Sequence, residues 1–351
     1  MNIKKITVLY NSVDEVKKGE VGDSIAEAYN YKAAEDVSNA LIKLGYEVTL
    51  FDLNSKTLKL LPSIKTDMIF NLLEGFDNLP QSFTAITSYI ESLGIPMTGT
   101  NSFAAMLTID KARTKDFLVK NKIPTPNYQL FIHELEPLKY NLRFPLIVKP
   151  NSADASMGIT QDSVVKNSAE LREQIQYVRE VYKDAALVEE YIEGKEMDCY
   201  GVKVNDGVIV SNVLEAPFIP DSSRKWDICD FEHKWGETGY CDEICPAQIA
   251  PETQAWIERL VAESIKIFDI KGCMRLDLRL SKDNIPYVIE VNTNPGMELS
   301  HDTTEITNFI TKGITYVDLV RMIVDNAAYE YENKLLSSKP FLKDSNLVKS
   351  E

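Results

Sequence analysis

Charged residues alternate with leucines in the segment 275–280, which reads Arg-Leu-Asp-Leu-Arg-Leu. Successive side chains of a β-strand point to opposite faces of its sheet, so this alternation is typical of a strand. Arg275, Asp277 and Arg279 are then predicted to share one face. The pattern therefore places a carboxylate between two arginines.

A second segment of strand character, 287–292, carries Glu290 and Asn292 on one face, opposite its aliphatic residues. A turn-like stretch connects it to the first segment, so the two are predicted to form a hairpin. In the register that this turn favours, Arg275 faces Glu290 and Asp277 lies one diagonal step away. The hairpin thus predicts that three oxygen-bearing side chains converge beside an arginine.

Asp277, Glu290 and Asn292 offer two carboxylates and an amide oxygen, which are ligands that Mg2+ prefers. This ion usually keeps water and nucleotide phosphates as the rest of its shell. The hairpin therefore indicates a nucleotide site that holds a metal. The alternative is an ordinary amphipathic hairpin with a solvated charged face, because such faces are common in antiparallel sheets.

Further segments favour the nucleotide site over the solvated hairpin. Residues 144–150 form a short apolar run containing Lys149 at its end, and residues 151–158 after it are rich in small side chains. A lysine at the end of a buried strand, followed by a loop of backbone N–H groups, can cradle phosphate. Residues 187–192 form a second apolar run, which carboxylates interrupt.

In their order along the chain, these segments resemble the ATP-grasp fold, and more specifically its D-alanine–D-alanine ligase branch. The resemblance covers about residues 65 to 325. It also includes Leu-Glu-Gly-Phe-Asp at 73–77, Gly-Ile-Pro-Met-Thr-Gly at 94–99, Asp-Lys at 110–111 and the stretch 290–297. Each motif is weak alone, and their ordered succession is the strong signal.

The resemblance implies an α/β protein, in which an N-terminal parallel-sheet pre-ATP-grasp domain precedes two α+β ATP-grasp subdomains. The central subdomain is expected to open with a helix that contains Asp110, Lys111 and Lys115. The C-terminal subdomain is expected to hold the metal site. The predicted limits are 1–100, 101–199 and 200–328, followed by a polar tail at 329–351.

Local periodicity independently predicts the N-terminal part. The segments 6–10, 46–51 and 68–72 have strand character, and apolar residues recur at helical spacing between residues 25 and 44. Gly45 is expected to end that helix. The resulting β-α-β order predicts a parallel sheet covered by helices.

The reaction that the resemblance implies is ligation through an acyl phosphate, with ATP as the phosphoryl donor. Negative charge accumulates during this transfer, so cations must gather around the phosphoryl group. By resemblance, Asp277, Glu290 and Asn292 hold Mg2+, or Mn2+ in its place. Arg275 is expected to stabilise the phosphoryl group and the tetrahedral intermediate, and Lys234 matches a catalytic lysine on the family's mobile loop.

Nucleotide contacts follow from the same resemblance. Lysines are expected to meet the phosphates, a hinge at residues 189–192 to lie beside the adenine, and a glutamate to bind the ribose hydroxyls. The nucleotide-binding candidates are Lys111, Lys149, Ser156, Glu189, Glu190, Ile192 and Glu196.

Substrate recognition departs from the family pattern. Ala155 and Trp235 stand where the family has the serine and tyrosine of a hydrogen-bonded triad, and the family's Ser-x-Glu stretch after the first strand is replaced. Amino-acid recognition is therefore expected to differ from that of the family, although the machinery for ATP is retained. The substrate-binding candidates are Glu15, Glu74, Gly296, Ser300 and His301.

Composition excludes several classes of function. The chain has 351 residues, 44% of them hydrophobic, which suffices for two or three domains. Its formal net charge of −15 argues against a nucleic-acid partner, which requires clustered lysine and arginine. No segment approaches the ~20 apolar residues of a membrane span, and the N-terminal apolar run is too short for a signal peptide. We expect a cytoplasmic enzyme that acts on small amino-acid-like substrates. The family resemblance also implies that the protein forms a homodimer.

One cluster of possible metal ligands stands apart from the magnesium site. Cys229, Cys241 and Cys245 lie near His233 in a polar region. Such residues can ligate zinc, but the common Cys-x2-Cys pair is missing and reduced thiols are ordinary in the cytosol. The expectation is that no structural zinc is bound.

Three functions remain open on the sequence alone. The leading hypothesis is an ATP-dependent carboxylate–amine ligase that joins amino acids or similar molecules and is not the housekeeping D-alanine–D-alanine ligase. The second is that ligase of cell-wall biosynthesis itself. The third is a nucleotide-binding protein without catalysis, which the retention of Arg275 beside a full set of metal ligands argues against.

Overall fold

Within the residues that it describes, the computed structural model has three β-sheets with helices packed against them. A parallel sheet of three strands comes first in the chain, and two antiparallel sheets of four strands follow. This architecture confirms the predicted combination of a parallel N-terminal sheet with α+β regions. The described residues are 1–11, 30–73, 75, 80–218, 224–231, 243–299 and 307–337.

The N-terminal sheet has the strand order β2-β1-β3. Apolar clusters on its two faces are covered by α1 (Asn30–Lys43) and α2 (Pro80–Ser92). Gly45 follows α1 with a φ of +91°, as expected for a left-handed helix end, and residues 25–29 of the predicted helix lie outside the described residues. The strands are β1 (Lys5–Tyr10), β2 (Glu47–Asp52) and β3 (Met68–Asn71).

Helix α3 (Ser102–Thr108) precedes helix α4 (Lys111–Lys120), which contains Lys111 and Lys115 as predicted. Asp110 was predicted to lie inside this helix, but it has an extended backbone and caps α4. Its carboxylate accepts a hydrogen bond from the backbone N–H of Arg113 at 3.0 Å. An N-cap of this kind satisfies a donor that the first helical turn leaves without an intrahelical partner.

The central sheet is antiparallel and has the strand order β4-β7-β5-β6. Helix α5 (Ser168–Tyr177) packs against it through Leu171 and Ile175, which belong to its apolar core. The strands are β4 (Tyr128–Phe131), β5 (Leu146–Pro150), β6 (Val164–Val165) and β7 (Ala186–Glu190).

The third sheet has the strand order β11-β10-β8-β9 and is covered on one side by α6 (Pro251–Ile267). Strand β8 begins at Gly194, so the domain limit predicted between residues 199 and 200 falls inside this strand. The strands are β8 (Gly194–Val204), β9 (Gly207–Ala216), β10 (Cys273–Ser281) and β11 (Pro286–Asn292).

The register between β10 and β11 differs from the predicted one. Arg275 pairs with Asn292, and Asp277 pairs directly with Glu290. The prediction that Arg275 faces Glu290 was wrong, because it assumed a regular hairpin. The two carboxylates are therefore direct cross-strand neighbours rather than diagonal ones.

The shift of two residues has two sources: Leu280 pairs with Pro286 at the turn, one residue later than predicted, and a β-bulge adds the second residue. Asp277 pairs with Glu290 but Leu278 pairs with Val288, so Ile289 is an extra residue in β11. A bulge re-aims side chains locally. Ile289 and Glu290 consequently line the same cleft, whereas strict alternation would have placed them on opposite faces.

The chain continues through α7 (Thr307–Ile310) into the long helix α8 (Tyr316–Ser337). The limit predicted for the polar tail, at residue 329, falls inside α8, and Tyr329 donates a hydrogen bond to Asp206 at 2.9 Å. Residues 338–351 lie outside the described residues. None of the helices in the described ranges has the length and apolar character to cross a membrane.

The contact between β8 and α6 leads to a stability prediction. A Cβ atom on Gly201 would lie 2.6 Å from side-chain atoms of both Ile265 and Val261. We expect Gly201→Ala to lower the free energy of unfolding in urea by about 1 to 3 kcal/mol, because overpacking strains a filled core. Gly207→Ala is the control, since its Cβ would meet nothing closer than 3.6 Å and should change stability by less than about 0.5 kcal/mol. Equal effects of the two substitutions would contradict this view of the β8–α6 contact.

Candidate active site

A cleft between the central and third sheets brings together most of the residues that the sequence singled out. Its walls come from β5 and β7 on one side and from β8, β10 and β11 on the other, with α4 behind them. The predicted residues that line it are Lys111, Lys149, Ser156, Glu189, Glu190, Ile192, Glu196, Asp277 and Glu290.

Two lysines share one buried carboxylate at the back of the cleft. The Nζ atoms of Lys115 and Lys149 each lie 3.0 Å from Oε1 of Glu189, and all three side chains are almost fully buried. Burial opposes the charge of Glu189, but the two ammonium groups outweigh it and lower the pKa of this carboxyl. Burial lowers the pKa of Lys115 to about 8, because the attraction of Glu189 is partly cancelled by the charge of Lys149.

A second lysine–carboxylate group lies closer to the β10–β11 hairpin. Lys111 Nζ lies 2.5 Å from Glu290 Oε1 and 2.8 Å from the exposed carboxylate of Asp154. Burial opposes the charge of Lys111, and the two carboxylates reverse this effect and raise its pKa. The pKa of Glu290 falls to about 2, because Lys111 and Lys149 outweigh the cost of burying its charge. Glu290 is therefore ionised at neutral pH.

Arg275 and Asn292 lie beside the cleft and both contact Asp277. The guanidinium of Arg275 donates to both carboxylate oxygens, at 2.6 and 3.2 Å, and the amide nitrogen of Asn292 donates to Oδ2 at 2.9 Å. The ring of Tyr200 lies under the guanidinium at 5.9 Å. This contact adds to the bidentate ion pair in fixing Arg275.

The residues of the hairpin fit a divalent cation. Asp277 and Glu290 are direct neighbours in the ladder, and Asn292 contributes an amide beside them. Hard oxygen donors of this kind suit Mg2+ when phosphates and water complete its shell. No group of three or more His, Cys, Asp or Glu side chains that could hold a metal is found in the described ranges.

Sequence reasoning assigned no role to Arg279, which the structure places behind the hinge segment. Its Nε donates to the carbonyl of Ile192 at 3.0 Å, and Nη1 lies 3.0 Å from Glu196 Oε2. Its guanidinium also lies 5.4 Å from the ring of Tyr191. Arg279 thus holds Ile192 and Glu196, which are both nucleotide-binding candidates. Its place on the same face of β10 as Asp277 could have indicated this role from the sequence.

Asp198 is a second residue that the sequence analysis missed. It lies next to Asp277 in the ladder and accepts a hydrogen bond from Asn308 at 2.7 Å. Burial raises its pKa to about 8, against the attraction of Arg275. The alternation of Glu196, Asp198 and Tyr200 along β8 could have revealed it.

The small-residue loop after β5 contributes Ser156 to the cleft. Ala155 and Ser156 have φ values of +54° and +60°, and the Ser156 hydroxyl donates to the carbonyl of Cys229 at 2.8 Å. This left-handed pair turns the loop back toward the cleft. The phosphate-cradling role of the loop stays a prediction.

Several candidates cannot be placed. Gly296 follows β11 and is half-buried, whereas the other substrate-binding candidates and the loop lysine lie outside the described residues. The same holds for two of the four possible zinc ligands, so that prediction stays open. The candidates outside the described residues are Glu15, Glu74, Lys234, Ser300 and His301, together with His233, Trp235 and Cys241.

Known proteins include a family and individual sequences that are similar to this chain. The family model described as D-ala D-ala ligase C-terminus matches residues 117–325. The D-alanine–D-alanine ligase of Carboxydothermus hydrogenoformans is 30% identical over 312 residues, which cover 86% of this chain and 95% of that protein. An uncharacterised protein of Sinorhizobium fredii is 29% identical over 308 residues, which cover 86% and 88%.

The fold has a counterpart among solved structures. The crystal structure of D-alanine–D-alanine ligase from Bacillus anthracis complexed with ATP matches with a TM-score of 0.71 at 24% sequence identity. The match covers 94% of this chain and 99% of the other. At this identity the likeness concerns the arrangement of the sheets and helices.

The position of Arg279 leads to a second stability prediction. We expect Arg279→Met to lower the free energy of unfolding in urea by about 2 kcal/mol, because the Ile192 carbonyl and Glu196 both lose their charged donor. Arg172→Met is the control, since Arg172 is exposed on α5 and its loss should cost less than about 0.5 kcal/mol. An Arg279→Met protein as stable as the control would show that these contacts are energetically neutral.

Proposed function

Because this chain belongs to the D-alanine–D-alanine ligase family of ATP-grasp ligases, we propose that it uses ATP to join the carboxyl group of one amino acid to the amine of a second. The γ-phosphoryl group moves to a carboxylate oxygen, which gives ADP and an acyl phosphate. The amine then attacks the acyl carbon and loses a proton, and inorganic phosphate leaves as the amide forms. The observation that carries this proposal is the convergence of Lys111, Lys149, Asp277 and Glu290 on one cleft.

The nucleotide part of the proposal rests on how the cleft is lined. Lys111 and Lys149 supply buried positive charge for the phosphates, and Glu189 holds Lys149 in place. Glu190, Tyr191 and Ile192 line the same cleft and are proposed to contact the adenine, and Glu196 is proposed to bind the ribose. Ser156 brings the loop after β5 to the phosphate end.

Divalent metal belongs to the same proposal. Asp277, Glu290 and Asn292 would hold Mg2+, or Mn2+ in its place. When bound, such an ion neutralises charge on the phosphate oxygens. Arg275, which already lies against Asp277, supplies further positive charge where the phosphoryl group and the tetrahedral intermediate develop negative charge. Lys234 is proposed to add a further positive charge.

The substrates are proposed as amino acids, with D-alanine–D-alanine ligation as the second candidate. The names of several relatives favour the second candidate. Ala155 favours the broader proposal, because it cannot supply the hydroxyl of the family's triad. Glu15, Glu74, Gly296, Ser300 and His301 are proposed to bind the substrates. A cytoplasmic homodimer completes the proposal, and light scattering of the purified protein tests the dimer.

The metal assignment gives a direct test. Glu290→Gln keeps the side-chain volume but removes a negative charge, so we expect turnover to fall on the order of 100-fold and to need more Mg2+. The measurement is ADP release across a Mg2+ titration, with the melting temperature recorded in parallel. Glu263→Gln is the control, because Glu263 is exposed on α6. Wild-type turnover at low Mg2+ in the Glu290→Gln protein would remove this residue from the metal site.

Substrate identity is tested by pairing amino acids with ATP. We expect phosphate release to require two amino-acid substrates, and the product mass to equal their sum less one water. Amino acids of both configurations are paired in turn, with D-alanine alone as the reference. A D-alanine pair that is faster than every other pair would select the second candidate. Absence of ADP and product with every pair would refute the ligase proposal.

A further inference from the structure

Lys115 is more deeply buried than either lysine of the proposed phosphate site. Its side chain is 1% exposed, whereas Lys111 and Lys149 are 6% and 4% exposed. It does not line the cleft. Its Nζ lies 3.0 Å from Oε1 of Glu189 and donates to the hydroxyl of Thr125 at 2.8 Å. Lys115 can therefore influence the cleft only through its neighbours.

The shared oxygen is the important feature. Oε1 of Glu189 lies 3.0 Å from the ammonium of Lys115 and 3.0 Å from that of Lys149. A carboxylate paired with a single lysine offsets most of that lysine's charge. When a second lysine shares the oxygen, the two ammonium groups and the carboxylate carry a net charge of +1 instead of zero, so positive charge remains to act on a third group.

We propose that Lys115 is a positioning residue for nucleotide binding. By sharing Oε1 of Glu189, it holds this carboxylate in place and leaves the ammonium of Lys149 available to the phosphates of ATP. The inference rests on the proposed nucleotide site, which it deepens by naming a residue that tunes its charge.

Thr125 extends the effect to the other wall of the cleft. Its hydroxyl accepts from Lys115 and donates to the carbonyl of Val288 at 2.8 Å. Val288 precedes the bulge that aims Glu290 at the cleft. Lys115 thus connects the strand that carries Glu189 to the strand that carries the proposed metal ligand.

The charge of Lys115 should make ATP affinity depend on pH. The charged groups that face it are Glu189 from β7, Lys149 from β5 and Glu290 from β11. Both carboxyls have lowered pKa values and stay ionised above neutral pH. Burial lowers the pKa of Lys115 to about 8, so the ammonium form is present below this value and is lost above it. Bound phosphates favour the ammonium form, so affinity must fall as the pH rises past about 8.

The first experiment measures ATP binding calorimetrically, with Mg2+ present and the full chain at neutral pH. We expect Lys115→Met to weaken binding on the order of tenfold, and Lys115→Arg to restore most of the loss. At saturating ATP the turnover of Lys115→Met should stay near that of wild type, because Lys115 does not touch the reacting groups. Lys120→Met is the matched control, since Lys120 is exposed on the same helix.

A double-variant cycle separates positioning from a general structural effect. In a Glu189→Gln background, Lys115→Met should change ATP affinity by less than about twofold, because the carboxylate through which it acts is gone. An undiminished loss in that background overturns the proposal. The proposal is also overturned if the Lys115→Met protein binds ATP with the affinity of the wild type.

A pH series on the wild-type protein needs no variant and decides the case if Lys115→Met does not fold. The dissociation constant of ATP should rise by up to about tenfold per pH unit above pH 8, and this rise should vanish in any folded Lys115 variant. Phosphate ionisation does not interfere, because its second pKa is about 6. A flat series overturns the inference alone, whereas a wild-type protein that binds no ATP overturns the nucleotide site as well.

Discussion

The cleft depends on the pairing of two buried lysines of one helix with carboxylates from two different sheets. Lys111 and Lys115 are four residues apart in α4, so they lie on the same side of the helix, one turn apart. Lys111 reaches Glu290 in the third sheet, and Lys115 reaches Glu189 in the central sheet. An unpaired buried ammonium is costly, so each contact favours a close approach of its sheet to α4. This requirement holds the two walls of the cleft at a defined separation.

The backbone reinforces the same junction. The N–H of Lys111 donates to the carbonyl of Asn151 at 3.1 Å, and the N–H of Ala112 donates to the Asn151 side chain at 2.9 Å. These are two of the donors that the first turn of a helix leaves without intrahelical partners. Since Asn151 immediately follows β5, α4 is docked where Lys149 enters the cleft. The position of the helix and that of Lys149 are therefore coupled.

Local patterns were sufficient for much of the fold and for the chemical character of the site. Alternation along β10 correctly placed Arg275 and Asp277 on one face, and the β-α-β order correctly indicated a parallel N-terminal sheet. Gly45 ended α1 as expected. These features depend on residues close together in the chain, whose periodicity reflects strand and helix geometry directly. The regular alternation failed at Ile289, where an inserted residue leaves no local trace.

The sequence by itself thus determined the strand faces and the motif order that indicate candidate side chains for nucleotide and metal, because both are properties of the chain. Tertiary structure decided their partners. Lys115 and Lys149 share Glu189, and Arg279 supports Ile192. Both arrangements depend on how α4 and the two sheets meet. Such contacts join residues far apart in sequence and are selected by the cost of leaving buried charges and carbonyls unpaired, which no local pattern records.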